Sequence, residues 1–291
     1  MKTNNLFMSI VFNIANRTFK FSEKVIRYIE RENSKNENKK WVERFGNKEK
    51  ILFSIDEIKI NLYKDSILSK FIFDGFEQIE IDFVLKSLNQ NDIFLDIGSN
   101  IGLFSLLASK KVGVDGKVIC FEPAPETYKR LVENIALNQL ENIEARNLGL
   151  SDSEGELKFY FSDTGFDAWN SFAPTNDYRL NKSIDIMVST LDKQLESLDK
   201  SLIKIIKIDV EGWEKFVLKG GKEFFKNYSP IVMVEFTEEN TFNAGYSIHD
   251  IFTELEEIGY EWYNIQNGTL VKEVKKMHYP YINLIAKKSS L

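Results

Sequence analysis

A chain of 291 residues has room for one large α/β domain with an appendage of some tens of residues, and its 43% hydrophobic and 28% charged content excludes global disorder. The formal charge of -6, from 44 acidic against 38 basic residues, supplies no large positive field and argues against nucleic acid as the main partner. A single cysteine, Cys120, excludes an intramolecular disulfide framework and suits a reducing compartment, so the expected location is the cytoplasm.

In chain order, residues 6–15 form an apolar run behind Lys2, broken by Asn13 and followed by no clear small-x-small cleavage site. The run is too short to cross a bilayer, which takes roughly 20 apolar residues. The spacing of Ile10, Ile14, Phe21, Val25 and Ile29 predicts a helix with one buried face, packing on the domain or contacting a membrane surface or partner. The charged stretch 30–40 reads as an exposed linker or helix end, and the alternation over 51–63 predicts a hairpin. Residues 1–70 are therefore expected to be a helical and hairpin extension, and 71–291 the main domain.

The main domain opens on a helix expected over 74–88, with Ile79, Phe83, Val84 and Leu88 on one side. A strand-then-helix rhythm follows: strand 93–97, helix 102–111, strand 117–121, helix 125–138 and a strand near 143–147. That rhythm implies a doubly wound parallel sheet covered on both faces. It breaks between about 155 and 190, where strands 157–161 and 184–188 flank an irregular loop rich in Asp, Asn and aromatics. It resumes with strand 202–209, helix 213–225, strand 230–236, helix 248–258, an extended 260–265 and a last strand 281–286.

The chemistry gathers at strand ends. Gly98 and Gly102 follow the first core strand, where a tight turn brings backbone amides to face a ligand. A dinucleotide fingerprint would need glycine where Asn100 and Leu103 stand, so the spacing suits a ligand with an amino-acid end and a ribose but no pyrophosphate. A purely structural turn is the other reading. Glu122, at the end of the second strand, is placed to accept from both ribose hydroxyls of an adenosine. Asp152, in the turn after the third strand, is a candidate for the adenine amino group or simply a turn former. Lys207, Asp209 and Glu211 share one side of an extended strand end at the same edge, as an active cluster or as an ion-pair cluster that organises the strand.

Asp96-Ile97-Gly98-Ser99-Asn100-Ile101-Gly102, Phe121-Glu122-Pro123, Thr190-Leu191-Asp192 and Lys207-Ile208-Asp209-Val210-Glu211-Gly212-Trp213-Glu214 together resemble the FkbM family of methyltransferases, with Phe76-Glu77 resembling its upstream aromatic-Glu element. The resemblance runs from about 76 to 263, and its one mild departure is Ser99, where a different small residue is usual. It implies a class I methyltransferase fold, Rossmann-like, with seven core strands of which the last is antiparallel. It also implies S-adenosyl-L-methionine as cofactor and transfer of its methyl group to a hydroxyl oxygen. By that resemblance Asp96, Gly98, Ser99, Asn100 and Gly102 belong to the cofactor loop, Glu122 to the ribose, and Asp209 with Glu211 to the active edge.

The expected acceptor is a hydroxyl of a sugar, glycan or related small metabolite, which needs help to lose its proton. Asp209 or Glu211 is the candidate base, with Lys207 orienting a carboxylate or the acceptor. No metal ligand is assigned, although Glu235 and Glu238 are the residues that would complete an oxygen cluster. His249, His278 and Cys120 read as bystanders. Phe166, Trp169 and Phe172, with Asn170, Asn176 and Arg179, read as a sugar-facing wall or as packing under a long loop. Two competing functions stand beside this one: a nicotinamide-dependent oxidoreductase, disfavoured by the absence of a suitably placed Tyr-x-x-x-Lys element, and a non-catalytic member of the fold that recruits a partner.

Overall fold

Five short runs of the sequence form the parallel core; all but the half-buried Ile143–Arg146 are rich in Ile, Val or Phe and buried along nearly their whole length, as strands are where helices or loops cover a parallel sheet on each face. They are β3 (Ile93–Ile97), β4 (Lys117–Phe121), β5 (Ile143–Arg146), β9 (Ile203–Ile208) and β10 (Ile231–Phe236). In the computed structural model, which describes residues 38–163, 165, 167–174 and 180–288, they lie side by side in parallel in the order β5-β4-β3-β9-β10. The expected helix over 6–29 and Phe166, Asn176 and Arg179 lie outside the described residues.

The sheet continues from β10 to β13 (Ile282–Lys288), which is antiparallel to it, then to β11 (Tyr260–Gln266) and β12 (Thr269–Lys272). The seven strands up to β11, with the last in sequence antiparallel, give the expected doubly wound α/β arrangement of the class I methyltransferase fold. β12 adds an eighth at the edge. The region 149–189 carries its own three-stranded sheet, in the order β6 (Gly149–Leu150), β8 (Lys182–Ser189), β7 (Gly155–Phe161). No helix of the described residues is long and apolar enough to cross a membrane.

The chain divides into two units, Met1–Ile51 and Leu52–Leu291. Of the first, a helix α1 over 38–45 is described, with Trp41 and Phe45 edge to face at 4.8 Å. The expected hairpin is present as β1 (Lys50–Ile55) and β2 (Ile58–Tyr63).

Of two expected helices, one starts late and the other is divided. The stretch 74–88 begins as a turn, because Gly75 (φ 92°) and Glu77 (φ 49°) are left-handed, so α2 (Ile67–Phe73) ends before it and α3 (Gln78–Ser87) starts after it. The stretch 213–225 breaks at Gly220-Gly221 into α7 (Glu214–Gly220) and α8 (Lys222–Asn227), after the short α6 (Leu191–Gln194). A Cβ on Gly220 would lie 2.0 Å from the Ser151 carbonyl oxygen, so the close approach of these backbones requires glycine there.

Strand periodicity sorts the sheet into two unlike faces. Leu95, Ile97, Ile206, Ile208, Val232 and Val234 join the large apolar cluster with Val217, Phe225 and, from the helix His249–Glu256, Ile251 and Phe252. The alternate positions carry Asp96, Lys207 and Glu235 to the other face, where Asp96 and Lys207 are direct neighbours across β3 and β9. That second face also receives α4 (Leu103–Val112), whose Ser105 hydroxyl donates to Asp96 Oδ2 at 2.6 Å. One fully buried amide ties this side together: on α5 (Pro125–Leu137), Asn134 accepts from the Asn61 N–H of β2 at 2.8 Å and donates to the Ile101 carbonyl at 3.0 Å. Asn134→Ala is expected to leave both backbone groups without a partner and to destabilise the chain by about 2–4 kcal/mol, measured by denaturant titration.

Candidate functional site

The carboxyl ends of β3, β4, β9 and β10 open into a cavity of about 610 Å³, within the range of small-molecule sites. Its lining comes from the loops that leave these strands, from the turn before α3 and from the 159–172 region.

One side is built by the bend after β3. The chain turns through Gly98 (φ 84°), and Asn100 is also left-handed (φ 47°). A Cβ on Gly98 would lie 1.7 Å from the backbone oxygen of Asp209, so the glycine allows the loops after β3 and β9 to touch. The Asn100 N–H donates to Glu122 Oε2 at 2.9 Å and the Ala124 N–H to Glu122 Oε1 at 2.9 Å, which orients this buried carboxylate at the cavity wall. Burial nevertheless pushes the Glu122 carboxyl up to about 8, against the two backbone donors. The buried atoms Asn100 Oδ1 and Asp96 Oδ1 have no hydrogen-bond partner. Leu148, Gly149 and Leu150 complete the wall beyond Glu122.

The other side is charged. Lys207, only 4% exposed, places Nζ 2.6 Å from Asp209 Oδ2 and 5.0 Å from the centre of the Phe104 ring. Burial opposes its charge, yet Asp209, Glu77 and Asp96 together hold it above the usual lysine range. Glu77, on its left-handed turn, accepts from the Tyr281 hydroxyl and from Asn283 Nδ2, each at 2.7 Å, while its Oε2 stays unpartnered. Glu211 (φ 52°) accepts from Asn240 Nδ2 at 2.5 Å, and Glu235 is buried with Oε2 unpartnered. Burial, then the neighbouring carboxylates with Asp209 prominent among them, drives the Glu211 and Glu235 carboxyls well above the usual range. Oxygens of Asp209, Glu211 and Glu235 lie within 4.8 Å of one another.

An aromatic wall also lines the cavity. Trp169 meets Phe71 edge to face at 6.2 Å, Phe71 stacks on Phe76 at 5.9 Å, and all three line the cavity. Phe172 also reaches the lining but belongs to a satellite core, packed on Phe159 at 4.8 Å and Trp213 at 5.8 Å. Asn170 lines the cavity while its Oδ1 accepts from the Ser162 N–H at 3.1 Å.

Of the residues singled out in the sequence, Asp96, Gly98, Ser99, Asn100, Glu122, Lys207, Asp209 and Glu211 all line this one cavity. Two do not. Gly102 caps α4 with φ 95°, and a Cβ there would meet Leu131 Cδ1 at 2.6 Å, so its glycine serves the packing of α4 against α5. Asp152 is exposed and absent from the lining, its Oδ1 accepting from the Ser151 and Ser153 hydroxyls at 3.4 Å in the turn. Glu238 is not part of the oxygen cluster either: it pairs with the exposed His278 at 3.1 Å. Thr190-Leu191-Asp192 proves to be a capping device, with Thr190 Oγ1 accepting from Lys193 N–H and the Asp192 carboxylate from the N–H groups of Glu223 and Phe224. Glu214, likewise, braces the loop by accepting from the N–H groups of Val210 and Gly212 at 3.1 Å. Cys120 is buried, its thiol pushed up to about 12 by burial and the nearby Asp96.

Asp167, Asn240 and Tyr281 escaped the sequence reading. Asp167 Oδ1 accepts from the Ile67 N–H at 3.1 Å and so holds the start of α2, while Oδ2 is buried without a partner beside the Asn100 loop, whose Nδ2 donates to the Asp167 carbonyl. It sits in an irregular loop with no periodic pattern to flag it. The pairing of Tyr281 with Glu77 spans 204 residues of sequence, beyond any local signal.

A family model described as "Methyltransferase FkbM domain" matches residues 96–262, more than half of the chain. The "Hexuronic acid methyltransferase AglP" of Haloferax volcanii is 33% identical over 146 residues, which cover 50% of this chain and 56% of that protein. The "Methyltransferase sdnD" of Sordaria araneosa is 32% identical over 189 residues, covering 51% of this chain and 72% of that one. The "2-O-methyltransferase NoeI" of Sinorhizobium fredii is 29% identical over 147 residues, covering 45% of this chain and 58% of the other. A crystal structure of a methyltransferase FkbM from Methylobacillus flagellatus KT aligns with a TM-score of 0.45 and 13% identity over 69% of this chain and 44% of that chain.

Proposed function

Because the chain belongs to the FkbM methyltransferase family, we propose that it transfers the methyl group of S-adenosyl-L-methionine to a hydroxyl oxygen of a sugar, glycan or related small metabolite, inside the cavity at the carboxyl edge of β3, β4, β9 and β10. The observation that carries the reading is the juxtaposition, in one cavity, of a glycine bend with a buried ribose-type acceptor and a lysine-carboxylate cluster. The unpartnered Asn100 Oδ1 and Asp96 Oδ1 and the Glu122 carboxylate fit the ammonium and hydroxyl groups of the donor. In support of a sugar acceptor stand the hexuronic acid in the name of AglP, the 2-O position in that of NoeI, and the Phe71, Phe76 and Trp169 wall, which offers flat faces to a pyranose ring.

When bound, the donor supplies an electrophilic methyl group on a sulfonium. The chain's own work is to align the acceptor, exclude water and take one proton. Lys207 engages Asp209 Oδ2, which leaves Oδ1 to receive the hydroxyl proton as the oxygen attacks. Glu211, held by Asn240, and Glu235 position the acceptor on the other side. Much of the barrier reduction is expected from alignment, up to about 7–11 kcal/mol in favourable cases.

Calorimetric titration with S-adenosylmethionine, S-adenosylhomocysteine and NAD tests the reading. Binding of the first two and not the third is expected; binding of NAD alone would replace it with the oxidoreductase. Transfer of labelled methyl to a panel of hexoses and hexuronic acids then tests the acceptor class.

A pH dependence follows from Glu122. Donation from ribose hydroxyls favours the carboxylate, so binding of S-adenosylhomocysteine must expel the proton that burial keeps on this group up to about pH 8. Affinity is therefore expected to fall about tenfold per pH unit below 8, and Glu122→Gln to flatten that slope. For stability the sign is opposite: the folded chain keeps this proton while the unfolded one has lost it above about 4.5, so this group's contribution weakens as pH rises from 4.5 to 8. A slope unchanged in Glu122→Gln would remove Glu122 from the donor site.

A further inference from the structure

We infer that Asp209, Glu211 and Glu235 form a binding site for a hard divalent cation of the Mg²⁺ or Mn²⁺ class, next to the acceptor oxygen. The inference rests on the reading of the cavity as a methyl-transfer site. Among the described residues these three offer carboxylate oxygens within 4.8 Å of one another. Oxygens on opposite sides of such a cation, each at roughly 2.0–2.6 Å, lie about 4–5 Å apart. The cluster is all oxygen, which selects hard cations over the thiolate- and imidazole-loving metals.

A second observation separates this cluster from an ordinary acidic patch. Glu235 lines the cavity and is only 5% exposed, and its buried Oε2 has no hydrogen-bond partner. Two further buried oxygens on the same wall, Glu77 Oε2 and Thr237 Oγ1, are also unpartnered. A buried carboxylate oxygen without a donor is costly and calls for a ligand. Charge points the same way. Asp209, Glu77 and Asp96 act on the ammonium of Lys207, and Glu211 and Glu235 crowd the same Asp209 from the cavity lining. The donor, with a sulfonium, an ammonium and a carboxylate, brings one net positive charge, which leaves the cluster in excess. A divalent cation removes that excess and takes the acceptor hydroxyl as a ligand, lowering its pKa so that a weakly basic carboxylate suffices to take its proton. It also suits an acceptor with two adjacent oxygens, a vicinal diol or a hydroxy acid, which chelates the ion and meets fewer uncompensated negative charges.

The test uses the whole chain stripped with EDTA. Mn²⁺ binding is read by electron paramagnetic resonance and by calorimetry without any donor present, and S-adenosylhomocysteine binding is measured in parallel on the same sample. One Mn²⁺ per chain is expected, displaced by Mg²⁺, with Glu235→Gln and Glu211→Gln each weakening it by at least about tenfold while circular dichroism and S-adenosylhomocysteine binding hold. No Mn²⁺ binding by a chain that still binds S-adenosylhomocysteine overturns the cation site and leaves the methyltransferase standing. Binding that survives in both variants overturns the assignment to these residues, and should one variant fail to fold, the other decides. Failure to bind S-adenosylhomocysteine, with Mn²⁺ bound, speaks against the donor site alone.

Discussion

Asp209→Asn is expected to lower the rate of methyl transfer by about 10²–10⁴-fold while leaving S-adenosylhomocysteine affinity within a few-fold of the parent. The amide keeps the shape of the side chain and still accepts from Lys207, whose ammonium lies 2.6 Å from Oδ2. It lacks the basic oxygen that takes the hydroxyl proton. Because Lys207 is buried and loses the nearest of its anionic partners, some loss of stability accompanies the change, limited by Glu77 and Asp96, which also support its charge. Single-turnover rates with labelled donor, read beside thermal melting, separate the two effects. A rate within threefold of the parent would remove Asp209 as the base and transfer the role to Glu211.

The largest effect on stability is expected from Gly98→Ala. A left-handed φ of 84° costs a side-chain-bearing residue about 1–2 kcal/mol, and a Cβ there would stand 1.7 Å from the Asp209 backbone oxygen. Neither partner is a flexible side chain, so the loops after β3 and β9 must part. A total cost of about 4 kcal/mol or more is expected, a fall in melting temperature of roughly 10 °C, and loss of S-adenosylhomocysteine binding. Gly245→Ala is the control, since Gly245 has nearly the same φ, 83°, and nothing within 4 Å of an added Cβ. Equal losses in the two variants would show that backbone strain alone acts and that the contact with Asp209 is not tight.

The parallel core was legible because β3, β4, β9 and β10 are short apolar runs separated by helical periods, and the structure has them where the pattern put them, within a residue or two. The residues at their carboxyl ends were legible for the same reason: once the strand ends are known, Asp96, Glu122, Lys207 and Asp209 must share an edge. What escaped is what depends on long-range approach. α2, with the sequence ILSKFIF, is too short and too apolar all round to show a face, and β12 is a mostly exposed edge strand of four residues. Asp152 is exposed and outside the cavity lining; a turn after a strand looks the same in sequence whether or not it reaches a cavity. Glycine carries the same ambiguity: Gly98 and Gly102 look alike in the motif, yet one lets two loops meet and the other lets two helices pack.

The unlike faces of the central sheet bear on how errors are handled during folding. Were β9 to slip by one position against β3, Lys207 would be pressed into the dry cluster around Leu95 and Phe225, and Ile206 and Ile208 would be stranded among carboxylates. Both outcomes are costly, so the native register is strongly favoured over its neighbours. The charges that equip this molecule for chemistry thus also act as its proofreader, and a chain that has reached a stable sheet has its cluster already in place.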